Sequence, residues 1–125
     1  MRNKIVTDKA PAAIGPYSQG MAMQGIIFTS GQLPIDPVSG EMSSDIREQT
    51  RRSLENCRAV LEAGGAKMDH VVKTTVYITN MDDFGAINEE YAKYFEEPCP
   101  ARSCVQVARL PKDAQIEIEC IAYLD

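Results

Sequence analysis

Pro100-Ala-Arg-Ser-Cys-Val-Gln-Val-Ala-Arg-Leu-Pro111, followed at once by Ala114-Gln-Ile-Glu-Ile-Glu-Cys120, decides the reading of this chain. It reads as two β-strands, Arg102 to Leu110 and Ile116 to Leu124, joined by a tight loop. Along the last strand Ile116, Ile118, Cys120, Ala122 and Leu124 point one way, and Glu117, Glu119, Ile121 and Tyr123 point the other. The first strand sets a permanent cation, Arg102, close to a thiol, Cys104; the return strand sets Glu117 between Ile116 and Ile118. A guanidinium able to grip a carboxylate, next to an acid/base group on a rigid sheet, reads as a small-molecule site.

Working outward, Val71 to Thr79 is rich in β-branched residues and reads as a third strand. Phe84, Ile87, Tyr91 and Phe95 recur at spacings of three and four, so a helix precedes Pro98 and Pro100, with Asn80 or Asp82 as its cap. Asp45 with Glu48 makes a capping box for an earlier helix, whose stripe is Ile46, Thr50, Leu54, Cys57 and Leu61 and whose end is Gly64-Gly65. Met21 to Met23 and Ile26 to Ser30 read as strands across a turn at Gln24-Gly25. Ala10 to Gln19 and Gly31 to Gly40 hold strong breakers and read as ordered loops.

The order β-β-α-β-α-β-β, with a short extra strand at Ile5-Val6, predicts an α+β fold: one mixed β-sheet with two helices packed on one face. The other face would carry Lys73, Thr75, Tyr77, Glu117, Ile121 and Tyr123. A half-polar, half-apolar sheet face is what a subunit interface looks like, so an oligomer with clefts at its seams is expected.

A chain of 125 residues, 44% of them hydrophobic, suits one globular domain spanning residues 1–125. No apolar run approaches the roughly 20 residues that cross a bilayer. The basic start, Met1-Arg-Asn-Lys, has no apolar stretch behind it, so a cytoplasmic protein is expected and no membrane partner. A net charge of −5 argues against sequence-independent grip on nucleic acid. Arg47, Arg51, Arg52 and Arg58 alternate with Asp45, Glu48, Glu55 and Glu62, which reads as a solvated helix laced with ion pairs. Cys57, Cys99, Cys104 and Cys120 form no CxxC pair, and with the single His70 they make no zinc spacing; reduced thiols acting mostly as small buried apolar residues are expected.

Taken together, the residues resemble the RidA/YjgF family of small enamine/imine deaminases over nearly the whole chain. The resemblance is carried by Gly15-Pro-Tyr-Ser-Gln19, Phe28-Thr-Ser-Gly-Gln32, Asn56, Val76-Tyr-Ile78, Phe84 with Asn88 and Tyr91, Pro100-Ala-Arg-Ser103, Leu110-Pro111 and Ile116-Glu-Ile-Glu119. It implies a chorismate-mutase-like fold and a homotrimer with three equivalent clefts between subunits. The activity it implies is hydrolysis of 2-imino or enamine acids, such as 2-aminoacrylate, 2-iminopropanoate and 2-iminobutanoate, to 2-keto acids and ammonia, a damage-control role with no metal or organic cofactor. Arg102 is similar to the arginine that binds the substrate carboxylate and Glu117 to the glutamate that positions or activates water. Tyr17, Ser30, Gly31 and Asn88 match cleft-lining residues, and Cys104 matches a cysteine whose backbone contributes contacts.

The chemistry suits these residues. An imine is already electrophilic, so a catalyst has to hold it, place water at its carbon and manage protons. Two parallel hydrogen bonds from Arg102 would select 2-imino acids over neutral imines. Partial burial would raise the Glu117 pKa and make it a better base near neutral pH. On its own spacing Glu119 is equally eligible, and the resemblance favours Glu117. Cys104 is either a nucleophile or a packed residue with a useful backbone, and no histidine adjoins it to serve as a base. Rival functions are a ribonuclease or translation inhibitor, and a ligand-binding or chaperone-like module without turnover.

Overall fold

A computed structural model describes residues 1–125. The elements are β1 (Asn3–Ile5), β2 (Gly20–Met23), β3 (Ile26–Thr29), α1 (Ile46–Ala63), β4 (Val71–Ile78), α2 (Phe84–Tyr91), β5 (Ala101–Gln106) and β6 (Ile116–Tyr123). They form an α+β fold with one six-stranded sheet in the order β1-β2-β3-β6-β4-β5. Only β4 and β5 run parallel.

Local chemistry explains most elements. Gln24 and Gly25 both take positive φ (50° and 80°), the geometry that matches strand twist in a two-residue hairpin. Asp45 accepts from the Glu48 amide at 3.0 Å and caps α1. The reciprocal half of the expected box is absent: Asp45 N donates to Ser43 Oγ, and the Glu48 carboxylate turns to Arg51 at 3.0 Å. Thr50, Leu54, Cys57 and Leu61 are buried along the stripe, and Gly65 (φ 94°) ends the helix. Asn80 caps a 3₁₀ turn that leads into α2, and α2 stops at Tyr91; Phe95 nonetheless reaches the core, its ring 4.7 Å from that of Tyr91. Both helices cover one face of the sheet. Ile27, Leu54, Leu61, Ile87, Ile116 and Ile118 are fully buried between the layers, each stabilising the fold by roughly 1.5–3 kcal/mol.

One topological expectation is corrected. β5 and β6 do not pair as a hairpin: β4 lies between them and β5 takes the sheet edge. The α2 crossover lays β5 parallel to β4, and the segment from Val107 to Gln115 then passes over the end of β4, held by Val107 N to Ile78 O (2.8 Å) and Thr79 N to Gln115 O (3.1 Å). The burial of β6 explains its central place, since Ile116, Ile118, Cys120 and Ala122 are all at most 1% exposed beneath the helices. β5 buries no residue fully and suits an edge.

The second sheet face carries no layer of its own. Lys73, Thr75 and Tyr77 lie opposite Ile121, Glu119 and Glu117 across the β4–β6 register, so the predicted polar group does share this face. Met23, Ile26, Phe28, Val105 and Tyr123 extend it as exposed apolar side chains. No helix is long and apolar enough to cross a membrane.

Candidate functional site

Two buried amides hold the loops that form the principal cleft. Gln19, 3% exposed, donates to the carbonyls of Thr7, Ala10 and Pro11 and accepts from the Thr7 amide, which fastens the 10–19 loop. Asn56, on the buried side of α1, donates to the carbonyls of Leu33 and Ile35, both at 2.9 Å, and fastens the 31–40 loop. Each bond satisfies a backbone group that turn-rich segments cannot pair for themselves.

Between these loops lies a cavity of about 620 Å³. Of the residues singled out in the sequence, Tyr17, Ser30, Gly31 and Glu117 line it. Gln32 N donates to Ile118 O at 2.7 Å and Ile118 N to Gln32 O at 3.2 Å, which draws Gly31 across Glu117. A Cβ at residue 31 would stand 2.3 Å from Glu117 Oε2, so only glycine leaves room for the carboxylate. Ser30 is fixed by its amide, which donates to Gln19 O at 2.8 Å, and by its hydroxyl, which donates to Ser18 O. Tyr17 is half exposed at the cavity wall.

Burial, and secondarily the charge of Glu119 on the same strand, raise the Glu117 pKa above the ordinary carboxylate value. Glu119 is differently occupied: its Oε1 accepts from Tyr77 Oη at 2.7 Å. That distinction separates two carboxylates that sequence spacing left equivalent. Lys112, in a left-handed backbone conformation (φ 58°), brings a cation to the cavity wall that the sequence reading missed. Its signal was the Pro111-Lys-Asp113 turn.

Arg102, Asn88 and Cys104 lie elsewhere. Arg102 pairs with buried Thr74 across the β4–β5 ladder and projects to the helix side of the sheet. There its Nη1 donates to Asn88 Oδ1 at 2.7 Å, and its Cζ sits 4.9 Å from the Tyr91 ring centre and 5.4 Å from that of Phe84. Cys104 projects to the same side, half-buried; burial pushes its thiol pKa up against the opposing pull of Arg102, so it stays protonated near neutral pH. Glu117 pairs with Tyr77 on the uncovered face. The adjacency of Arg102 and Glu117 read from the sequence therefore does not hold within one chain: the two occupy opposite faces of the sheet. No group of three or more His, Cys, Asp or Glu side chains is placed to hold a metal ion. The cysteines are free, Cys57 and Cys120 buried and Cys99 exposed.

Comparison with known proteins agrees with this architecture. The pattern of the family described as Endoribonuclease L-PSP matches residues 7–124. The 2-iminobutanoate/2-iminopropanoate deaminase of Salmonella typhimurium is 50% identical over 125 residues, 98% of each chain. The crystal structure of Escherichia coli TdcF with bound serine superposes with a TM-score of 0.94 at 48% identity, covering 98% of this chain and 99% of that one. The E. coli YjgF gene product gives a TM-score of 0.93 at 49% identity over 97% and 98% of the two chains. On this fold, and on identity that runs from end to end, the chain belongs to the RidA/YjgF (Endoribonuclease L-PSP) family.

Proposed function

We propose that this protein hydrolyses 2-imino acids and their enamine tautomers to 2-keto acids and ammonia, in clefts built from two copies of the chain. The observation that carries the reading is a pair of complementary half-sites in a chain 50% identical to an iminobutanoate/iminopropanoate deaminase. One half is a guanidinium with Nη1 engaged and its Nε–Nη2 edge free for a carboxylate. The other is a partly buried carboxylate in a cavity, with no ion pair of its own. They face opposite ways, so one copy's Arg102 meets another's Glu117 only across an interface. The exposed apolar face around Phe28, 43% exposed, supports such an interface, and a closed ring of three copies satisfies every copy equally.

In this reading Arg102 holds the substrate carboxylate and sets the imine carbon against Glu117. Glu117 takes a proton from water as the water oxygen bonds to that carbon, then returns it to nitrogen. Collapse of the resulting amino alcohol expels ammonia and leaves the keto acid. Ser30, Gly31, Tyr17, Asn88 and Cys104 shape or line the composite cleft. Serine bound to the TdcF relative is in keeping with a pocket that takes amino-acid-sized carboxylates. Residues 1–125 act as one domain, and the four free thiols suit a cytoplasmic location.

The test generates 2-aminoacrylate with a dehydratase and times pyruvate release with and without this protein. Release accelerated beyond the spontaneous rate is expected. An unchanged imine lifetime would contradict the reading, and keto-acid binding with that lifetime unchanged would point to a binding module instead. A charge of −5, with Arg47, Arg51, Arg52 and Arg58 all engaged by acidic side chains, weighs against action on RNA.

A further inference from the structure

Arg102 stands on an edge strand and is exposed, a setting in which an arginine usually samples many rotamers. Three groups of α2 constrain it. The Tyr91 and Phe84 rings lie 4.9 and 5.4 Å from its Cζ, within the range of attraction between a cation and an aromatic face. Asn88 Oδ1 takes one Nη1 proton at 2.7 Å. The Tyr91 ring is itself fixed, because its hydroxyl shares a 2.7 Å hydrogen bond with Thr74 Oγ1, and Thr74 is the residue opposite Arg102 in the ladder. The chain Thr74–Tyr91–Arg102–Asn88 thus closes on itself through the β4–β5 pairing.

We propose that Phe84, Asn88 and Tyr91 form a cradle that orders the Arg102 guanidinium before substrate arrives, with Phe84 and Tyr91 as positioning residues. This rests on the reading of Arg102 as the carboxylate anchor. The rings restrain the guanidinium, and the Asn88 oxygen fixes its rotation within its own plane. The Nε–Nη2 edge carries no bond of its own, and the substrate carboxylate docks there side-on, through those two nitrogens. An anchor ordered in advance surrenders little side-chain entropy on binding, and the benefit falls on affinity, since the carboxylate is held alike in substrate and transition state. A merely structural aromatic pair would affect stability without touching Arg102 mobility.

The experiment follows Arg102 directly. Nitrogen-15 NMR of arginine side chains in the substrate-free protein reports hindered rotation of the guanidinium, with exposed Arg2 as the mobile reference. In the wild type, Arg102 is expected to be ordered and Arg2 free. Phe84→Leu and Asn88→Ala each release Arg102 and raise KM for 2-iminobutanoate roughly three- to tenfold, with kcat changed less than twofold. Phe84→Tyr, which keeps an aromatic face, restores both. Arg102 as mobile as Arg2 in the wild type, or an unchanged KM in both variants, overturns the cradle. Should Arg102→Ala keep the wild-type KM and kcat while the wild-type guanidinium is ordered, the anchor reading fails and the cradle stands as a structural feature.

Discussion

The two half-sites differ in how completely the fold satisfies them. On the helix side, Arg102 is engaged by a hydrogen bond and two rings from one helix, and that helix is fastened to the sheet through Tyr91 and Thr74. On the open side, the loops around the cavity are fastened by Gln19 and Asn56, yet the carboxylate they enclose makes no ion pair and has a raised pKa. The contrast teaches where the chemistry lies. In the proposed reading the anchor is held by internal contacts, whereas the base is left unmatched. A partly buried Glu117 costs folding stability when it is ionised.

Removing the unmatched group should have the largest effect. Glu117→Gln is expected to lower kcat roughly a hundred- to ten-thousandfold, read by keto-acid release. It should also raise the melting temperature near neutral pH. The sign follows from linkage: with a folded pKa above the unfolded one, the native state binds protons more tightly, so stability falls as pH rises through that window. The gap between variant and wild type should close as pH drops below the ordinary carboxylate value of 4.5. A variant no more stable at neutral pH would mean that Glu117 is well solvated.

Arg102→Ala comes next, with kcat/KM down about a hundredfold, mainly through KM, as expected for two lost charge-assisted hydrogen bonds. Its circular dichroism should be unchanged, since the side chain is exposed. Gly31→Ala sharpens the comparison from the cavity side. The added Cβ would fall 2.3 Å from Glu117 Oε2, so the carboxylate must swing away, and kcat should drop about tenfold with KM little moved. The smallest effect belongs to Cys104→Ser, expected to keep turnover within about twofold, because a thiol held protonated is no nucleophile. Loss of activity there would reopen the nucleophile reading.

Local signals were legible in the sequence because local chemistry decides them: the Gln24-Gly25 turn, the Asp45 cap, the α1 stripe and the alternation of β6. The partner of β5 was not, since parallel pairing through a crossover depends on contacts remote in sequence, and adjacent strands in the chain invite a hairpin reading. The same topology hid the separation of Arg102 from Glu117. Alternation gives each residue's face within its own strand, but relating β5 to β6 requires the register of β4 between them. Spacing alone left Glu117 and Glu119 equivalent; the resemblance favoured Glu117, and the structure shows Tyr77 bonded to Glu119. Gln19 and Asn56 left a fainter trace as amides in segments that bury them.

The central claim is that each working cleft joins the guanidinium of one copy to the carboxylate of another. Mixing Arg102→Ala with Glu117→Gln by co-expression or joint refolding, and assaying well below the wild-type KM, where both variants are nearly silent, tests it most directly. Random assortment at equal amounts places an intact Arg102 against an intact Glu117 in about one quarter of clefts, whatever the ring size. Recovery of turnover to about a quarter of wild type, with kcat/KM per intact cleft unchanged, is the result expected. A mixture no more active than either variant alone would contradict a shared site.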